Sequence, residues 1–217
     1  MEKYYKYSMD IKSASIVGLT PLLLLFIFPF SIGIFEVGIF FFWLLLHEIL
    51  HGIGFMMGKG VKVANVVYGI ALEKGVFYCM CKQRIQKRII ITSLLLPLIT
   101  IGIGTLVWGA YLNNYLLTSL SIMNLCGCCM DFFMLLFILK LPKDAEYIDF
   151  DDMTSFTFIS REDLSRYKSF AIQLEELGEY KEEEMYPRDK KRITITKTSW
   201  IVLAVIWVFT ILGFFIT

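Results

Sequence analysis

Apolar residues in this chain gather in blocks longer than one face of a soluble helix needs. Five blocks, roughly Ala14–Ile34, Val37–Met57, Ile89–Leu112, Tyr115–Leu139 and Ser199–Ile216, reach the about 18 residues that let a helix cross a hydrocarbon core. The pattern predicts a mainly α membrane protein with about five transmembrane helices. The first block is too long for a cleaved signal peptide, carries Pro21 and Pro29, and precedes no small-x-small cleavage pattern. It is therefore counted as a span, bent at one of its prolines.

Two connections carry structure of their own. From Val61 to Cys81 the chain alternates and is rich in Val, Tyr, Phe and Ile, with Glu73-Lys74-Gly75 as a turn, which predicts a β-hairpin between the second and third spans. After the fourth span comes a polar segment, Pro142–Thr198. There Ser160 followed by Asp163 resembles a helix cap, and Leu164, Tyr167, Phe170, Ala171 and Leu174 recur at helical spacing up to about Leu177. A short cytoplasmic helix before the fifth span is expected. The acidic run Glu182–Glu184 reads as a solvated face, and Lys190-Lys191-Arg192 as the anchor of the last span. The whole, 1–217, reads as one polytopic domain: a core over 1–140, a cytoplasmic segment over 141–197 and a last helix over 198–217.

Composition agrees, since 57% hydrophobic and 19% charged residues exclude an ordinary soluble domain. The net charge of +1 matters less than its distribution. All 21 Lys and Arg fall before the first span, between the second and third, or between Lys140 and Lys197. Positive charge resists translocation, so these three segments are expected in the cytoplasm, with the N-terminus inside and the C-terminus outside a bacterial plasma membrane. The partners expected are the lipid bilayer and a membrane-embedded or membrane-proximal protein substrate, not nucleic acid. Five cysteines, an odd number, sit in a span (Cys126, Cys128, Cys129) or in the hairpin (Cys79, Cys81); disulfides are not expected in either place.

The chemistry lies in the second block, where His47-Glu48-Ile49-Leu50-His51 forms an H-E-x-x-H motif from the only two histidines of the chain. Positions i and i+4 share a helix face, so both imidazoles can reach one zinc ion, and Glu48 can act as the base toward a water molecule there. An unpaired ionisable group inside an apolar helix costs roughly 2.5 kcal/mol or more, so such a cluster needs a compensating partner. A catalytic zinc usually takes a third protein ligand and keeps one position open. Asp131 is the candidate: it precedes Lys140 by nine residues, and His51 precedes Lys59 by eight. At about 1.5 Å per residue both lie about 12–14 Å from the cytoplasmic boundary. Cys128, a soft ligand on the same stripe, competes for that role. Asn124, two helical turns before Asp131, is a candidate for orienting a substrate carbonyl or stabilising an oxyanion, or for holding helices together. Cys79-x-Cys81 reads as strand packing rather than a metal site.

The intramembrane H-E-I-L-H, the hairpin after it and the later Asn124…Asp131 resemble the site-2 protease clan. More closely, the stretch from about Leu44 to Asp149 resembles small bacterial membrane proteins grouped as zincin peptidases. His47-Glu48-x-x-His51-Gly52 matches their first motif, Tyr68-Gly69-Ile70 with Lys74-Gly75 their hairpin, and Asp131 with Leu141-Pro142-Lys143 their later acidic segment. The later site-2 motif carries a Pro and an Asp-Gly, both absent from Asn124…Asp131-Phe132. The resemblance implies a Zn2+ site from His47, His51 and Asp131, with Glu48 as acid/base and peptide hydrolysis within or beside the membrane. The alternative is a metal-binding membrane scaffold that binds or regulates without cleaving.

Overall fold

The computed structural model describes residues 2–10, 16, 19–28, 34–71, 76–149 and 155–180. Helix α1 (Ile34–Met56) runs 23 residues without a proline, and beyond it the chain turns at Gly60, whose φ of +82° is open to glycine and strained for other residues. Next, α2 (Lys87–Pro97), a π-helical stretch (Leu98–Gly104) and α3 (Thr105–Tyr111) follow end to end. Asn114 then caps α4 (Tyr115–Gly127), its Oδ1 accepting the Leu117 amide at 3.0 Å. Helix α5 (Cys129–Lys140) follows at an angle of 50° to α4.

Two of these stretches, Gly38–Met56 and Lys87–Tyr111, are long and apolar enough to cross a membrane, and the bent α4–α5 pair makes a third if taken as one span. The expected fourth span is thus broken. Around Gly127 a side chain would meet open space, and Cys128 takes ψ near 0°, which interrupts the helical ladder. The expected first span falls partly outside the described residues; within it Thr20–Phe26 is a 3-10 helix with Pro21 at its start. The expected last span, like the Glu73-Lys74-Gly75 turn and the Glu182–Glu184 and Lys190–Arg192 runs, lies outside them altogether. Among the described residues the count is two spans, or three, rather than five.

The mainly α expectation also gives way to a mixed fold. The hairpin is present, with β2 (Val66–Ala71) and β3 (Val76–Cys81) paired in register from Val66↔Cys81 to Ala71↔Val76. A second sheet joins β1 (Lys3–Met9), β4 (Ile85–Gln86), β5 (Glu146–Ile148), β6 (Ser155–Ser160) and β7 (Ile172–Glu179), antiparallel throughout, in the order β4-β5-β6-β1-β7. The cytoplasmic helix expected up to Leu177 is not there; that stretch is a loop and a strand. The reason is a bulge. Lys6 pairs with Glu176 but Tyr7 with Leu174, so Glu175 is an extra residue. Leu174 and Leu177, three apart as on a helix, thereby stand opposite Tyr7 and Tyr5 on one face of a strand. The supposed cap is likewise a turn: the Asp163 carboxylate accepts the Ser165 amide at 2.9 Å.

The sheet rests on the end of α5. Tyr7, Phe156 and Phe158 are buried around Phe137, whose ring meets that of Tyr7 edge-on at 4.7 Å. The Tyr7 hydroxyl donates to Leu164 O at 2.9 Å. From the start of α2, Lys87 Nζ donates to the carbonyls of Leu139 and Leu141, capping the C-terminus of α5. Helices α1 and α2 meet so closely that a Cβ on Gly54 would stand 2.3 Å from Ser93 Cα. Behind the hairpin, buried Asp149 accepts the Tyr147 hydroxyl at 2.6 Å and the Cys81 amide at 3.2 Å, fastening β3 to the larger sheet.

Two outcomes are expected. Because the obstacle at Gly54 is backbone, Gly54→Ala should force α1 and α2 apart and cost about 1–3 kcal/mol, read as a lower thermal midpoint. Burial pushes the Asp149 carboxyl up to about 7, against the lowering effect of its Tyr147 and Cys81 hydrogen bonds. The unfolded group titrates near about 3.9, so the folded state binds the extra proton between those values and stability falls as pH rises from about 4 through about 7. Asp149→Asn should flatten that decline in a pH series of thermal midpoints.

Candidate metal centre

Helix α1 presents His47 and His51 on one face, one turn apart and both buried. Their Nε2 atoms lie 3.0 Å from each other. Asp131, in the first turn of α5, brings Oδ2 to 3.1 Å from His47 Nε2 and 3.4 Å from His51 Nε2. The break at Gly127–Cys128 makes this possible by starting a new helix just before Asp131, where a carboxylate is also favoured by the helix dipole.

The far side of each ring fixes which nitrogen carries its proton. His51 Nδ1 stands 2.9 Å from the carbonyl oxygen of Ser93, and His47 Nδ1 stands 3.1 Å from Asn124 Oδ1. A carbonyl oxygen only accepts, so both Nδ1 atoms are the protonated ones in the neutral rings. The Asn124 amide is set the same way, because its Nδ2 donates to Cys128 Sγ at 3.3 Å. Each Nε2 therefore points a lone pair into the space shared with the Asp131 carboxylate.

Three electron-rich atoms at 3.0–3.4 Å from one another repel unless a proton or a metal cation lies among them. Their spacing fits zinc: a tetrahedral ion with bonds of about 2.0–2.1 Å holds its ligands about 3.3 Å apart. The donor types, two imidazoles and a carboxylate, are those of a catalytic zinc with a position left open. Glu48 stands beside them, with a carboxylate oxygen within 4.8 Å of ring nitrogens of both histidines.

The other sequence candidates fall into different places. Cys128 is buried with Sγ 3.7 Å from His47 Nδ1, and it keeps its place as a competing ligand: one ligand atom each from His47, Cys128 and Asp131 lie within 4.8 Å of one another. Asn124, read from the sequence either as facing a substrate carbonyl or oxyanion or as holding helices together, is wholly buried, with Oδ1 on His47 and Nδ2 on Cys128. Cys79 and Cys81 lie in β3, and none of the five cysteines forms a disulfide. The hairpin reaches the motif through Tyr68: a Cβ on Gly52 would stand 1.8 Å from its hydroxyl oxygen, so a side chain after His51 would have to displace the Tyr68 ring.

Ser93 escapes sequence reasoning altogether. It acts through its backbone carbonyl, which every residue type supplies, and its hydroxyl gives no better signal because it donates to His51 O at 2.8 Å, a contact only the fold creates.

No curated protein and no solved structure matches the chain. Residues 40–146, which hold the H-E-x-x-H helix, the hairpin, Asn124 and Asp131, match the sequence model of the family described as "Putative zincin peptidase".

Proposed function

We propose that this chain is an intramembrane zinc metallopeptidase that hydrolyses peptide bonds of membrane-associated or transmembrane proteins. The observation that carries the reading is the triangle of His47 Nε2, His51 Nε2 and Asp131 Oδ2, with both Nδ1 atoms committed elsewhere. Zinc bound there supplies a Lewis acid that polarises a carbonyl and acidifies water. His47, His51 and Asp131 would hold it, and Glu48, next to His47 on α1, would take the proton from the attacking water and return it to the leaving amine nitrogen. Asn124 serves as the support that keeps the His47 ring in its working orientation. The hairpin offers an exposed backbone edge next to the motif, onto which an unwound stretch of substrate adds as a strand.

Two features support the membrane setting. Ile99, Ile103, Val107, Leu136 and Leu139 are apolar side chains on the outside of the helices, as lipid contact requires and water disfavours. In addition, β1, β4 and β5–β7 come from the three basic segments and join in one sheet, so these segments lie on one side of the bilayer, the cytoplasmic side by their charge.

Purified protein should carry one zinc per chain, and His47→Ala or Asp131→Ala should lose it by metal analysis. A wild-type chain without affinity for zinc would end the reading. Glu48→Gln should keep the metal while cleavage of reconstituted single-span membrane proteins falls by about 10²–10⁴-fold. Unchanged cleavage would remove Glu48 from its role, and no cleavage by the zinc-loaded wild type across such a panel would favour a binding scaffold.

A further inference from the structure

Helix α2 contains a proline near its end, Pro97. In an α-helix the amide of residue i bonds to the carbonyl of residue i−4, and proline has no amide hydrogen. The carbonyl left without its helical partner by Pro97 is that of Ser93. The next amide does not fill the gap, because Leu98 donates to Leu95 O. Ser93 is wholly buried, and a backbone carbonyl left bare there is costly. Ser93 O accepts instead from His51 Nδ1 at 2.9 Å.

We propose that Pro97 is a positioning residue of the metal centre, acting by withholding an amide so that the Ser93 carbonyl is reserved for His51. The inference rests on the zinc reading above and deepens it. Ser93 is held for this task from two further directions. Its hydroxyl donates back to His51 O at 2.8 Å, and Gly54, without a side chain, lets the Ser93 backbone come up to α1. The carbonyl then fixes the proton on Nδ1 and leaves Nε2 as the ligand atom. Restoring an amide at position 97 would draw the carbonyl back into its own helix and free the ring to turn or change tautomer.

The test compares two substitutions in the full chain that differ only in one backbone group, an N–H against an oxygen. Pro97→Ala supplies the amide, while Pro97→lactic acid, the α-hydroxy analogue of alanine, replaces it with an ester oxygen that donates nothing. Zinc is titrated into metal-stripped protein against a chelating competitor. Pro97→Ala should weaken zinc binding by about 10–100-fold, as loss of a ligand's outer partner typically does, with apo thermal stability at or above that of wild type because the helix gains a hydrogen bond. The lactic acid variant should bind within about twofold of wild type, since it lacks the competing donor just as proline does. With only two histidines in the chain, selective ¹⁵N labelling resolves the ring nitrogens without metal: His51 should keep its proton on Nδ1 in wild type and the ester variant and become a tautomer mixture in Pro97→Ala. Wild-type affinity in both variants, or an equal loss in both, failure to fold included, overturns the inference. A wild type that binds no zinc would instead bring down the metal reading, and the metal-free ring nitrogens would still decide whether Pro97 sets the state of His51.

Discussion

Three lone-pair-bearing atoms pointed at one another in a site shut off from bulk water set the terms for the rest of this structure. Two imidazole nitrogens and a carboxylate oxygen at 3.0–3.4 Å form an unfavourable arrangement in an apolar setting, where charge is poorly screened. It persists only because each participant is gripped from behind. Ser93 and Asn124 hold the rings, and the start of α5 holds the carboxylate. A cation turns the same geometry from a cost into the strongest set of interactions in the core.

The parts that grip are built from irregularities in the helices. A regular α4–α5 would carry Asn124 and Asp131 along one straight stripe, able to meet only one side of a partner. The 50° bend at Gly127–Cys128 lets the two residues take the two nitrogens of the same ring, Asn124 on Nδ1 and Asp131 on Nε2. Glycines at 52 and 54 serve the same end from α1, the first admitting Tyr68 of the hairpin and the second admitting α2.

Much of the site was legible because its signals are local. H-E-x-x-H needs only helical periodicity, and Asp131 could be paired with it from residue counts to the flanking lysines. The hairpin announced itself by alternation. The large sheet did not, because its interior strand β1 pairs with segments far along the chain, from Ser8 with Ser155 to Lys3 with Glu179. Lys3, Tyr4, Tyr5, Lys6 and Tyr7 read as a basic leader until Phe156 and Phe158 are known to stand opposite. In β7 a bulge disguised a strand as a helix. Asn124 was picked out correctly as polar and well placed, yet whether it faced a ring or a substrate depended on a bend that no periodicity revealed.

The position of β1 between β6 and β7 has a consequence for biosynthesis. Strand β1 leaves the ribosome well before its neighbours, of which β6 is complete at Ser160 and β7 only at Glu179. Until they are made its tyrosines have no sheet to enter, and the end of α5, with Phe137, lacks the aromatic layer that holds it. The helix that carries Asp131 therefore gains this support only once the last strands of the sheet have been made.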